Sequence, residues 1–493
     1  MPKPKQFLSV KKKSKHAAAT PQTADEYLAA GVDFEEAGEK WRGGDRAKST
    51  RFFVRAIDCY DEALRKFPGS FDLAYNKARV QYELTQHPKL LKELPMSLLD
   101  LLQTALESSR LALSLNGENA DALFNTAQIL VSLTEKLAES PSGPAPLHLI
   151  EEALRLFQKC LEVQEKQAKD SAAQSQEAQS MFDTEYNSGD VSDTEEGGVA
   201  IAQDTSMDID GGEPAQDERW ASIIEPVTNS VLLDTILAQL ETLITMCGLI
   251  VRVDERAIGS IEQYAKDLIE VKLPAYTPST NRGLEAAIYR ATFTSAHSCL
   301  KFQASLLDSK SYLSSIKTAY AFPLDTSAEG LCRFAEALVT FNTTVRLSLH
   351  DAKTLQLRWA ALSDALKCFT AASQIYGADN IVKIHIARGD CEVGRFQLGE
   401  SGFKAAFDNR EVLLRNAGKF YAGAKALAPT HAHEDEEFEA MLKGYLTQAL
   451  LGDPKAFQNA LEEFRNTRPL LAEMLDEGLV SESQLAGLGI GSG

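Results

Sequence analysis

The stretch Ala56-Ile-Asp-Cys-Tyr60-Asp-Glu-Ala63-Leu-Arg-Lys-Phe-Pro68 decides the fold. Its two alanines and the tyrosine between them stand at i, i+4 and i+7, one face of a helix, and the proline that follows cannot continue that helix. The spacing Ala-x3-aromatic-x2-Ala-x4-Pro or Gly returns as Ala365, Phe369, Ala372, Gly377 and as Ala417, Tyr421, Ala424, Pro429. Degraded copies are Ala105, Ser109, Ala112, Gly117 and the partial Ala153, Phe157, Cys160. A helical hairpin needs small residues where its two helices approach and a large ring one turn away to fill the space between hairpins. Each copy is therefore expected to be one helix of a hairpin, ended by its Pro or Gly. Elsewhere Ala, Leu, Glu, Lys and Gln dominate and alternating β-branched runs are nearly absent, so an all-α fold is expected.

A second register agrees. Beyond Pro68, Gly117 and Gly377 stand Ala78, Ala127 and Ala387, each expected on the following helix, the first two in matching contexts, Leu73-Ala-Tyr-Asn-Lys-Ala78 and Ala122-Leu-Phe-Asn-Thr-Ala127. On these residues the chain resembles the tetratricopeptide repeat superfamily. That family's unit of about 34 residues carries a small residue on its first helix and the Ala, aromatic, Ala, Pro series on its second. The resemblance covers residues 24–167 and 325–451 and implies a helical-hairpin solenoid wound as a right-handed superhelix. It departs from the family in unit length, since His87–Pro95, Pro141–Pro146 and Gly394–Gly402 read as enlarged turns between the helices of a hairpin. The family's signature Trp is missing from the first helices, and Ile223–Phe322 reads as long helices without a repeat frame.

Across 493 residues, 51 Lys and Arg against 70 Asp and Glu leave a net charge of −19, which argues against a basic nucleic-acid binder. The acid is not evenly spread. Residues 170–218 hold 14 Asp or Glu and no Lys or Arg, and with their glycines they read as a disordered acidic insertion. Residues 1–23 read as a disordered basic arm carrying Lys3, Lys5, Lys11, Lys12, Lys13 and Lys15. The expected organisation is then the arm, repeats over 24–169, the acidic insertion, a central long-helix region over 219–324, repeats over 325–478 and a flexible tail over 479–493. Seven unpatterned cysteines without a CxxC pair fit free thiols in the cytosol or nucleus. The most apolar run, Val231–Val253, is broken by Asp234, Glu241 and Arg252 and reads as a buried helix, so no membrane partner is expected.

No GxGxxG after a strand, GxxxxGK[ST], HExxH or GxSxG occurs, and no catalytic, cofactor-binding or metal-ligating residues are expected. His431-Ala-His433-Glu434-Asp435 reads as the start of an acidic helix, whose first-turn carboxylates complement the helix dipole. The family resemblance implies a scaffold that holds a peptide in the groove of its first helices. Family members that hold a heat-shock protein's terminal carboxylate use Lys and Arg in the third repeat of a clamp; here Phe124 and Gln128 stand there, so that clamp is not intact.

Projected onto the groove, the first helices offer Asp72, Tyr75, Asn76, Arg79, Tyr82 and Glu83, then Asp121, Phe124, Asn125 and Gln128. Aromatics among carboxylates suit a Lys- and Arg-rich segment, while the same residues could equally pack against neighbouring helices. Within the insertion, Phe182, Asp183, Glu185 and Tyr186 form an aromatic anchor in a polyanion, and Ser192 and Thr194 stand in an acid-directed phosphorylation context. The insertion has a plainer reading as a solvating linker. Together these readings predict a non-enzymatic escort of a basic client, cytoplasmic and nuclear, without direct nucleic-acid contact. A newly made ribosomal protein is the favoured client and a histone the second, with a constitutive scaffold subunit as the alternative class.

Overall fold

The computed structural model describes residues 21–139, 146–187, 226–250, 255–347, 351–431, 434–463 and 467–490, with the backbone alone over 177–187. Among them, α1 (Ala24–Trp41), α2 (Arg46–Lys66), α3 (Phe71–Thr85), α4 (Leu98–Leu115), α5 (Ala120–Ala138) and α6 (Leu147–Asn187) form three hairpins. The centre holds α7 (Asn229–Leu249), α8 (Glu255–Asp267), α9 (Gly283–Gln303) and α10 (Ser309–Ala319). Beyond it lie α11 (Ala328–Arg346), α12 (Ala352–Ala372), α13 (Ile381–Glu400), α14 (Arg410–His431), α15 (Glu434–Leu450), α16 (Lys455–Glu463), α17 (Thr467–Asp476) and α18 (Glu482–Gly487). Thr23, Asp45, Asn119, Asp308 and Asp351 each accept a backbone N–H of the first turn that follows, so local chemistry starts these helices where the apolar pattern begins.

Contacts run between neighbours in chain order, hairpin upon hairpin, and the odd-numbered helices also touch in succession, α1 on α3, α3 on α5 and α5 on α7. This is an all-α helical-hairpin solenoid, in which each repeat is stabilised by the next. All five copies of the spacing lie on second helices: α2, α4, α6, α12 and α14. Every Ala, aromatic, Ser and Cys position in them is at most 3% exposed, so the motif is packing and nothing else. Its complement on the first helix is a glycine. A Cβ at Gly31 would sit 2.3 Å from the Tyr60 ring, and one at Gly389 would sit 2.4 Å from the Tyr421 ring. Both rings are fully buried and cannot step aside. Gly31→Ala and Gly389→Ala should therefore each lower stability by about 2–3 kcal/mol in urea denaturation. Gly259→Ala, where nothing lies within 4 Å, should raise it by up to about 1 kcal/mol.

Ala387 lies on the following helix as expected, half-buried, while Gly389 makes the close contact with Tyr421. Four expectations need correction. Gly394 is not in a turn: α13 runs on to Glu400, because Gly394 receives Leu362 and Gly399 receives the backbone of Phe407, contacts a larger side chain would block. Pro429 does not end α14, which continues to His431 with the proline in its last turn. Asp170–Asn187 is helical rather than disordered, since α6 is already nucleated by its packed half and the Ala-, Gln- and Glu-rich sequence propagates it into solvent. The tail is packed: Leu479, Val480 and Leu485 are buried, and Ser481 with Gln484 forms a capping box at α18. Residues 188–218, with Ser192 and Thr194, lie outside the described residues, as do 1–20 and 432–433.

Helix α7 is the one described helix long and apolar enough to cross a membrane. It is packed between α6 and α9, with Leu232, Leu233, Ile236, Leu240 and Leu243 at most 1% exposed. The central region thus continues the stack. Its second-helix position is taken by α8, a π-helical turn at Leu268–Lys272 and two short turns, none carrying the alanine motif, which explains the missing frame.

Candidate functional site

The wall built by the odd-numbered helices holds the predicted groove residues, and the structure divides them. Tyr82 is 7% exposed, its hydroxyl 3.2 Å from Ser132 Oγ on α5, and Phe124 stands edge-on to Phe157 of α6 at 5.3 Å, so both are packing residues. Tyr75 stacks on Phe71 at 5.7 Å and accepts a hydrogen bond from Asn125 Nδ2 at 3.3 Å, which ties α3 to α5. Burial, with the Asp121 charge adding to it, pushes the Tyr75 hydroxyl up to about 12. Asn76 donates to the Asp72 carbonyl at 2.8 Å, one turn back on its own helix. Asp72 and Asp121 are exposed, while Gln128 is half-buried on the same face. The tract residues Phe182, Asp183, Glu185 and Tyr186 lie on the C-terminal turns of α6.

Charge organises the rest. Glu35 of α1, 8% exposed, accepts from the Tyr60 hydroxyl at 2.6 Å and pairs with Arg79 of α3. Arg79 reaches on to Glu83 at 3.4 Å, and Arg42 bridges Glu39 at 2.9 Å and Glu83 at 3.8 Å. This network spends two arginines on three acids. Farther along, cations become scarcer. Glu135 of α5 accepts from Thr245 of α7 at 3.2 Å, Glu241 of α7 lies 3.7 Å from Arg333 of α11, and Glu329 and Glu336 flank that arginine on its helix.

The carboxyls record the imbalance. Glu83 is raised by burial, with Glu39 adding to the effect and Arg79 opposing it. Glu135 is raised by burial, with Glu241 and Glu139 adding and the Thr245 bond opposing. Glu336 is raised by burial, with Arg333 opposing and Glu329 adding. Tyr82 feels the charges of Glu135 and Glu241, and Tyr289 of α9, pushed to about 12 by burial first, feels Glu241 and Glu329. A continuous acidic stripe thus runs from α1 to α11, with tyrosines set into it and like-charged pairs Glu39/Glu83, Glu135/Glu241 and Glu329/Glu336 along its length.

Sequence reasoning found Glu83 and missed Glu39, Glu135, Glu241, Tyr289, Glu329 and Glu336. A signal existed: Asp121, Asn125 and Gln128 continue at helical spacing to Ser132 and Glu135, and Asp234 continues to Glu241 and Thr245. Among the described residues no group of three or more His, Cys, Asp and Glu is arranged to hold a metal ion.

No family model matches the chain. Over 146 residues it is 31% identical to the UPF0656 protein C926.02 of Schizosaccharomyces pombe, a match that takes in 29% of this chain and 32% of that protein. The likeness therefore spans about a third of the relative's length. Among solved structures, the S. pombe hypoxic regulator of sterol synthesis Nro1, a nuclear import adaptor, is 12% identical over 73% of this chain and 93% of its own, with a TM-score of 0.33. A circular tandem repeat protein is 12% identical over 92% of this chain and 98% of its own at 0.30, and the P58(IPK) TPR domain is 12% identical over 92% and 99% at 0.17. These overlays are loose, and the assignment of the solenoid rests on the packing described above.

Proposed function

We propose that this helical-repeat scaffold is a non-enzymatic escort that lays an extended, Lys- and Arg-rich segment of a client protein along the acidic stripe of its first helices. A newly made ribosomal protein is the favoured client, a histone the second, in the cytoplasm and nucleus. The observation that supports this most is that carboxylates face each other between first helices, Glu39 and Glu83 between α1 and α3 and Glu135 and Glu241 between α5 and α7. Such pairs repel in the free protein, and a chain of cations placed between them relieves that repulsion while gaining attraction. The half-buried rings of Tyr289 and Tyr75 add aromatic surface beside the same carboxylates. A constitutive scaffold held by apolar contacts would have no use for such an arrangement.

Two dependences test the reading with a fluorescein-labelled oligolysine as probe. Affinity should fall steeply with salt, because attraction between partly exposed charges is screened over about 8 Å at physiological ionic strength. It should also fall as pH falls, and begin to do so at a higher pH than ordinary glutamates would dictate, because half-buried Glu83 is held above the usual range and protonates earlier. The sign is opposite for folding: the folded chain binds more protons than the unfolded one in that window, so this group's contribution to stability is lost as pH rises through it. Probe binding that is flat in salt, with a neutral or acidic protein co-purifying from cells, would leave the constitutive scaffold as the better account.

A further inference from the structure

The first twenty residues enter the fold at α1, the first wall of the acidic stripe, and they carry Lys3, Lys5, Lys11, Lys12, Lys13 and Lys15 without one Asp or Glu. We infer that this basic arm is an intramolecular occupant of the groove, holding the site until a client displaces it. The inference rests on the acidic stripe proposed above as the client site and names how that site is regulated.

Reach is sufficient. Glu39 lies about 22 Å along α1 from Ala24 at 1.5 Å per residue, and Lys15, nine residues before Ala24, reaches about 30 Å when extended. Crossing from α1 to α7 takes about 30 Å at about 10 Å per helix, which brings Lys11–Lys13, with about 40–45 Å of chain, as far as Glu135 and Glu241. Charge fits as well. The arm brings six cations to a stripe in which Arg42, Arg79 and Arg333 are outnumbered by Glu35, Glu39, Glu83, Glu135, Glu241, Glu329 and Glu336.

Tethering makes a weak contact effective. A short linker gives a local concentration of about 1 mM, so an arm that binds the groove with an intrinsic Kd of about 0.1 mM fills about nine-tenths of the sites. A client's apparent affinity is then reduced about tenfold, the fraction of open groove setting the factor.

The test uses the full-length chain with all six arm lysines changed to Gln, and a second chain with all six changed to Arg. Oligolysine should bind the Gln chain about tenfold more tightly than the unchanged protein, and the Arg chain should behave as the unchanged protein does. Zero-length carbodiimide cross-linking of the unchanged protein should join Lys11, Lys12 or Lys13 to Glu83, Glu135 or Glu241. Equal affinity of all three chains, with binding still lost on neutralising groove glutamates, would overturn the arm's role and leave the client site standing. Failure of the probe to bind even the Gln chain would overturn both.

Discussion

Lys443→Met is expected to lower the unfolding free energy by about 3–5 kcal/mol. Lys443 sits on α15 and is 2% exposed, with Asp390 Oδ2 at 3.0 Å, Glu439 Oε1 at 2.7 Å and Glu477 Oε2 at 3.8 Å. Burial by itself would push the ammonium down, but the three carboxylates outweigh it and hold the group above the ordinary lysine range. Asp390 is raised by burial and accepts from the Tyr421 hydroxyl at 2.7 Å, while Glu477 is pushed to about 7 by burial, against the pull of Lys443. Without the lysine, three acids face one another with no cation between α13, α15 and the end of α17. They can be accommodated only by taking up protons. The deficit should therefore be larger in mildly alkaline than in mildly acidic urea titrations, since the stability of carboxyls with raised pKa is lost as pH rises. Tyr421→Phe, which removes one hydrogen bond and keeps the ring, should cost about 1 kcal/mol. A Lys443→Met deficit below that of Tyr421→Phe would mean that the cluster is not a buried one.

The same cluster shows why the C-terminal end was hard to read. Residues 479–493 look like a polar, glycine-rich tail, yet Gln397 of α13 donates to the Leu479 carbonyl at 2.8 Å and Arg346 of α11 donates to the Asp476 carbonyl at 2.8 Å. Both bonds join positions far apart in the chain, and no local pattern announces them. By contrast, the hairpins were legible because their packing is local: alanine, ring and alanine on one helix face make the same demand in each copy, and the structure places all five on second helices. The groove was legible only where the motif set the frame. Asp72 to Glu83 and Asp121 to Gln128 could be projected from it, whereas Glu241 lies on α7, whose hairpin partner α8 carries no motif, and Glu329 and Glu336 lie beyond that break in the frame. Glu35 lies in the framed region and was still missed, since its role depends on Tyr60 and Arg79 arriving from two other helices.

The acidic stripe is the centre of this account, and one measurement bears on it most directly: the affinity of the full-length protein for oligolysine before and after Glu83, Glu135, Glu241 and Glu336 are all changed to Gln. Glu83 faces Glu39 between α1 and α3, Glu135 faces Glu241 between α5 and α7, and Glu336 stands two turns from Glu329 on α11, so the substitutions remove repulsion. Glu83 and Glu241 also lose their ion pairs with Arg79, Arg42 and Arg333; the two effects offset and the melting temperature should change little. Binding should weaken by about 2–4 kcal/mol, or roughly thirty- to a thousandfold at low salt, taking about 0.5–1 kcal/mol for each partly exposed pair. The salt dependence should flatten at the same time, because fewer charges remain to be screened. Unchanged affinity and an unchanged salt slope, in a variant that melts no lower than the original, would contradict the proposal that the groove takes a basic chain.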